Sequence, residues 1–235
     1  MRSPIDVKSK FRASATTTSL TALAMLLVAS VSNGADAAFS GRATTYGTND
    51  YHGGACSLRQ SPTGVDPTFF VAMNKQQYGS SCGRCLSVSG PRGTFLAFAA
   101  DLCDECGQNN LDFSGNLWNA VMGTTPSNMP VSWDFVPCPN PQPVLCLKEG
   151  SSSWWLAVQG ANMRDGVSGI DIAGQKGTMI GTTAFYFINS NGNVNLNSVP
   201  VTITSVGGAR TSYTVSLQEN QCTPVGGGSS GGGGG

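Results

Sequence analysis

Between residues 39 and 223 the apolar positions come in short runs rather than long stripes, and many of the runs stop at a glycine or an asparagine. Phe95-Leu96-Ala97-Phe98-Ala99-Ala100 predicts a buried strand that ends at Asp101. Further on, Trp154–Gln159, Gly169–Ala173, Thr182–Ile188, Val199–Val206 and Ser212–Leu217 all read as strands. Within them Val201-Thr202-Ile203-Thr204 alternates strictly, the period of a half-buried strand. Several short strands with turn signals between them predict a β-sandwich over 144–223. Helical spacing is confined to Ser114–Met122, with Ser114 or Asp112 as the cap. Pro137, Pro139, Pro141 and Pro143 stiffen a bridge, so 139–143 is read as a linker between a first domain, 39–138, and the sandwich.

Both ends of the chain depart from this pattern. Arg2, Lys8, Lys10 and Arg12 precede an apolar run from Leu20 to Val31, and Ala35-Asp36-Ala37-Ala38 follows. A basic leader, an apolar middle and small residues at the end predict a signal peptide over 1–37 and secretion to the extracellular space. A membrane anchor would need about 20 strongly apolar residues, and Thr16, Thr17, Thr18 and Ser19 dilute the stretch. Residues 224–235 are almost entirely Gly and Ser after Pro224 and Val225, a flexible tail with nothing to bury.

Composition agrees with a turn-rich all-β protein. The chain's 31 glycines and 12 prolines interrupt it too often for long helices. Charged residues are only 11%, against about 25% in an average soluble protein, which disfavours a coiled coil or a salt-bridged bundle. With 13 basic and 13 acidic residues there is no basic field to hold nucleic acid or an anionic membrane.

Eight cysteines lie outside the leader. Cys82-Gly83-Arg84-Cys85 and Cys103-Asp104-Glu105-Cys106 have the spacing of a zinc site. In a secreted chain cysteines oxidise, so disulfides are the expectation, and neither a metal nor a cofactor is implied. No Asn-x-Ser/Thr sequon occurs. The single histidine, His52, sits beside Gly53-Gly54 with no nucleophile in support, and it reads as a loop residue. That leaves the carboxylates. Asp101 ends an apolar strand, and Asp112 stands between Leu111 and Phe113. An acid among apolar neighbours can have its pKa raised and become a proton donor. A helix cap at Asp112 and a turn residue at Asp101 explain the same positions, and spacing does not decide between the two readings.

The motifs in order do add something. Gly41-Arg42-Ala43-Thr44-Thr45-Tyr46-Gly47, Gly53-Gly54-Ala55-Cys56, Cys82-Gly83-Arg84-Cys85, Asp101-Leu102-Cys103 and Leu111-Asp112-Phe113-Ser114 resemble the first domain of the expansin superfamily. Lys148-Glu149-Gly150-Ser151-Ser152-Ser153-Trp154-Trp155 looks like the start of its second domain. The resemblance implies a six-stranded double-psi β-barrel, similar to family-45 endoglucanases, followed by an immunoglobulin-like cellulose-binding sandwich. It places Asp112 at the acid needed for wall loosening, with Asp101 and Thr44 in the same groove. Tyr46 stands where hydrolytic relatives continue toward their second carboxylate, and it is taken as a substrate contact. The nearest acid to that place is Asp50. Cys103 replaces a groove tyrosine of many bacterial members, and Leu111 a phenylalanine of plant members. With the base missing, hydrolysis is disfavoured.

The same resemblance implies disulfides Cys56–Cys82, Cys85–Cys138, Cys103–Cys106 and Cys146–Cys222. It also implies that Trp154, Trp155 and a later aromatic form a flat row for stacking on glucan rings. The third ring is Phe185, Tyr186 or Phe187, with Tyr186 favoured. Strand alternation alone predicts one exposed tryptophan and one in the core. The function expected is that of a monomeric, secreted protein that binds cellulose, xyloglucan or a related β-glucan and loosens plant-type walls without hydrolysis. A weak endo-β-1,4-glucanase and a wall-binding effector without loosening activity are the alternatives.

Overall fold

The computed structural model describes residues 39–226 together with 229–230, so the expected signal peptide lies outside the described residues. The first half builds a closed barrel from β1 (Phe39–Thr45), β2 (Phe70–Asn74), β3 (Cys85–Gly90), β4 (Gly93–Cys103), β5 (Leu111–Phe113) and β6 (Met129–Val136). Around the barrel the order is β1-β5-β2-β4-β3-β6, with β1/β5 and β2/β4 parallel and the remaining pairs antiparallel. A four-residue helix α1 (Lys75–Tyr78) follows β2, and α2 (Gly115–Val121) follows β5. Closing the sheet removes its edges, and Phe70, Phe98, Phe113, Leu86 and Trp118 belong to one buried cluster built on its two faces and α2.

The second half is a sandwich of two five-stranded sheets. One has the order β11 (Thr178–Met179), β12 (Phe185–Asn189), β8 (Trp155–Ala161), β7 (Val144–Leu147), β15 (Cys222–Pro224). The other runs β10 (Gln175–Lys176), β9 (Val167–Ile172), β13 (Val199–Ser205), β14 (Arg210–Val215), β16 (Ser229–Ser230). The last of these brings two serines of the Gly/Ser tail against β14. Alternation along β13 buries Val201 and Ile203 and turns Thr202 and Thr204 outward, as the sequence pattern requires. The all-β reading, a six-stranded barrel followed by a sandwich, therefore holds.

Four disulfides use all the cysteines: Cys56–Cys82, Cys85–Cys138, Cys103–Cys106 and Cys146–Cys222. The zinc-like spacing is thus occupied by three separate disulfides. Barrel and sandwich also meet through hydrogen bonds. The buried Gln159 carboxamide accepts from the Arg59 amide at 2.8 Å and donates to the Ser57 carbonyl at 3.0 Å. Asn162 accepts from the Thr63 amide, and the Ala184 amide donates to the Cys56 carbonyl, both at 2.8 Å. No helix among the described residues is long and apolar enough to cross a membrane.

Candidate functional site

The barrel site is a registered row across four neighbouring strands. Thr44 of β1 is opposite Asp112 of β5, Asp112 is opposite Ala72 of β2, and Ala72 is opposite Asp101 of β4. Opposed residues on adjacent strands share a face, so two acids and a threonine line one strip with a small alanine between the acids. A β-bulge puts Asp101 there. Val71 pairs with Ala99 but Ala72 pairs with Asp101, which leaves Ala100 as the extra residue. Without that slip Asp101 would face the other side. The freed Ala100 carbonyl instead accepts the Cys56 amide at 3.2 Å. Gly54 comes so close that a Cβ there would lie 2.4 Å from the Ala100 oxygen, so no side chain fits. The same loop holds Asp101, whose Oδ1 accepts the Ala55 amide at 2.7 Å, and the Leu102 amide of its own strand donates to that oxygen at 2.8 Å.

Asp112 is therefore not a helix cap. Ser114 occupies the N-cap position of α2, and its hydroxyl donates to the Thr68 carbonyl. The half-buried Asp112 accepts from the Thr44 hydroxyl at 2.7 Å. Loss of solvent pushes its carboxyl above the usual range; the Thr44 bond pulls the other way, and Glu105 and then Asp101 push up again. Glu105 was not singled out from the sequence. It sits inside the two-residue loop closed by Cys103–Cys106, a placement that spacing alone could have suggested. Tyr46 continues the strip beyond β1 and is 37% exposed. Its phenol is pushed well up by burial of part of the ring and by the fields of Asp101 and Asp112. Asp50 lies apart on an exposed loop, where its Oδ1 accepts the His52 amide at 3.0 Å and meets His52 Nδ1 at 2.7 Å. Those bonds hold its carboxyl below the usual range.

On the sandwich, Trp154 is 65% exposed. It precedes β8, in a turn where Ser152 Oγ accepts its amide, so strand alternation does not govern it. Trp155 opens β8 half-buried, its ring 5.9 Å from that of Phe187 and tilted by 31°. Neither indole belongs to the sandwich core. Tyr186 does: it is only 5% exposed and packs in that core, which corrects its expected place on the outer row. Alternation in β12 sends Tyr186 and Ile188 inward and Phe187 outward, so Phe187 is the ring on Trp155's side. Among the described residues, Tyr46 and Trp154 are the exposed large hydrophobic side chains, one in each half. The described residues hold no cluster of three or more side chains suited to a metal ion.

A closed barrel with an acid–threonine strip, joined to a sandwich that bears an exposed indole, defines a two-module β protein of the barrel-plus-sandwich class. No family model matches the chain. By sequence it is 30% identical over 122 residues to Expansin-YoaJ of Bacillus subtilis (strain 168). That match takes in 50% of this chain and spans about half, 53%, of the relative. By structure the chain is similar to an expansin of Clavibacter michiganensis, with TM-score 0.69 and 24% identity, covering 80% of this chain and 96% of that one. A mutant of that expansin in complex with cellohexaose gives TM-score 0.71 at 24% identity, covering 81% and 97%. The resemblance to the expansin superfamily is borne out: the chain has the expansin fold and an expansin among its sequence relatives.

Proposed function

We propose that this is a secreted, monomeric, expansin-like protein that binds cellulose or a related β-glucan and loosens plant-type walls without cutting the chains. One observation carries the reading. The two exposed large aromatic residues lie one beside the acid strip and one at the end of the sandwich, where neutral sugar rings would stack. A relative of the same fold crystallised with cellohexaose supports a β-glucan as the ligand. The disulfides support an extracellular site of action. Domain limits of 39–138 and 144–223 go with this proposal.

The strip suits exchange of hydrogen bonds more than activation of water. Asp112, with its raised pKa, holds its proton to higher pH than an ordinary carboxyl, and when protonated it offers one donor beside an acceptor oxygen. Asp101 has one oxygen committed to two amides and presents the other as an acceptor. A glucan hydroxyl given these partners gives up one on a neighbouring chain at little net cost. Asp50 is drawn to His52 and is not poised as a base.

One observation favours the hydrolytic alternative. Asp101 shares the row with Asp112 two strands away, about 10 Å between Cα atoms at normal strand spacing, compatible with the about 6.5–9.5 Å between carboxyls of inverting glycosidases. The test pairs creep of a stretched cellulosic wall strip with an assay of reducing ends. Creep without new reducing ends is expected; reducing ends that vanish in Asp112→Asn would establish the glucanase instead.

A further inference from the structure

From Asn189 to Asn197 every second residue is an asparagine: Asn189, Asn191, Asn193, Asn195 and Asn197. The segment links β12 of one sheet to β13 of the other. Its asparagines are exposed, and Ser190, Gly192, Val194 and Leu196 are partly buried between them. Val194 and Leu196 pack on the sandwich core, so the alternation has a physical origin: one side of the strap is anchored and the other carries amides. Gly192 meets Trp154 on the anchored side. A Cβ there would lie 2.4 Å from the indole, and the backbone φ of 77° also favours glycine. Asn191 and Asn193 flank Gly192 and line a cleft of about 410 Å³ whose other wall includes Gln175 and Pro200.

We infer that this cleft is a second saccharide site, separate from the aromatic residues, which takes a neutral sugar carried as a side branch or chain end of a soluble wall glycan. The inference extends the reading of the sandwich as the glycan-binding half. The lining points to that ligand class. No charged side chain faces the cleft, so an ion or a phosphate has no counter-charge there. The carboxamides of Asn191, Asn193 and Gln175 have no hydrogen-bond partner among the described residues. Each offers a paired donor and acceptor, the complement of vicinal hydroxyls. Ala173, Val194 and Pro200 add apolar surface for the C–H face of a pyranose. Gly192 faces the Trp154 indole, whereas Asn191 and Asn193 on either side of it line the cleft. A flat crystalline surface seated on the indole does not enter the cleft, whereas a branch leaving the main chain does.

The test follows backbone amide signals of the intact protein by NMR during titration with a xyloglucan heptasaccharide, with cellohexaose and trigalacturonate as comparators. The heptasaccharide is expected to shift signals of Gln175 and residues 190–200. An Asn191→Ala/Asn193→Ala double variant should melt as the parent does, since it breaks no hydrogen bond, yet bind there at least tenfold more weakly. Trp154→Ala should lose cellulose pull-down and keep the cleft shifts. Absence of shifts at 190–200, an unchanged affinity in the double variant, or equal binding of trigalacturonate would overturn the site. Loss of the cleft shifts in Trp154→Ala would overturn its independence. If Trp154→Ala still binds cellulose while the cleft shifts persist, the aromatic reading fails and the cleft stands.

Discussion

The bond from Thr44 to Asp112 restrains the one carboxyl in the strip whose pKa is raised. It favours the ionised form, so Thr44→Val should raise the Asp112 pKa further, which a carboxyl-carbon NMR titration would show; a downward shift would contradict the assignment. Asp112→Asn should abolish creep while leaving cellulose binding intact, and full creep in the variant would remove Asp112 from the mechanism. The effect on stability has a definite sign. A carboxyl whose pKa is raised on folding binds its proton more tightly in the native state, so it costs stability as pH rises above its unfolded value of about 3.9. Asn keeps the acceptor for Thr44 and removes that cost. The variant should melt at or above the parent at pH 7, with the gain disappearing below about pH 4. Asp112 could be found from the sequence only through resemblance, because a cap and a buried strand acid look alike there. The bulge at Ala100 that turns Asp101 into the strip left no sign at all, since Phe98-Ala99-Ala100-Asp101 reads as an unbroken strand.

Strands β8 and β12 decide what the second half shows to solvent. Their alternation was legible, but its phase in Phe185-Tyr186-Phe187 was not: three aromatics in a row suit either face, and only pairing with Ala157 fixes Phe187 outward. Trp154 was equally ambiguous, because the strand rule does not reach a residue in the preceding turn. At 65% exposed it contributes little to the core, so Trp154→Ala should melt near the parent and lose most of its cellulose binding in a pull-down. An unfolded variant, or one that binds normally, would take it out of the contact surface. The disulfides rank in a similar way. In the loop-entropy account, closing the three-residue separation of Cys103–Cys106 is worth about 2 kcal/mol, against about 4.5 kcal/mol for the 76-residue separation of Cys146–Cys222. Replacing Cys103 and Cys106 by Ser should therefore lower the melting temperature less than replacing Cys146 and Cys222, as calorimetry can measure. The short disulfide instead holds the loop that carries Glu105 beside Asp112.

For the molecule as a whole, the sandwich and the Pro-rich bridge before it were read from strand spacing and turn residues, whereas the barrel was implied only by the resemblance. The fit between the two halves was visible in neither, because it depends on buried amides such as Gln159 that look like any polar strand residue. Gln159→Ala strands the Arg59 amide and the Ser57 carbonyl at the contact, at a cost of about 1–3 kcal/mol each if they stay dry. Faster proteolysis within 137–143 is the expected readout, and an unchanged rate would show that the contact does not depend on this side chain.

The pairing of the cysteines also bears on how the protein responds to force. Three disulfides lie within residues 56–138 and the fourth joins 146 to 222, so none crosses from one half to the other. A glucan gripped by the barrel while a fibre holds the sandwich would therefore pull on an amide-bonded seam and a short proline-rich tether. Each half is cross-linked against unravelling and the seam is not. Tension would part the seam first and let it close again when slack returns, so the protein would yield reversibly between its halves before either half lost its fold.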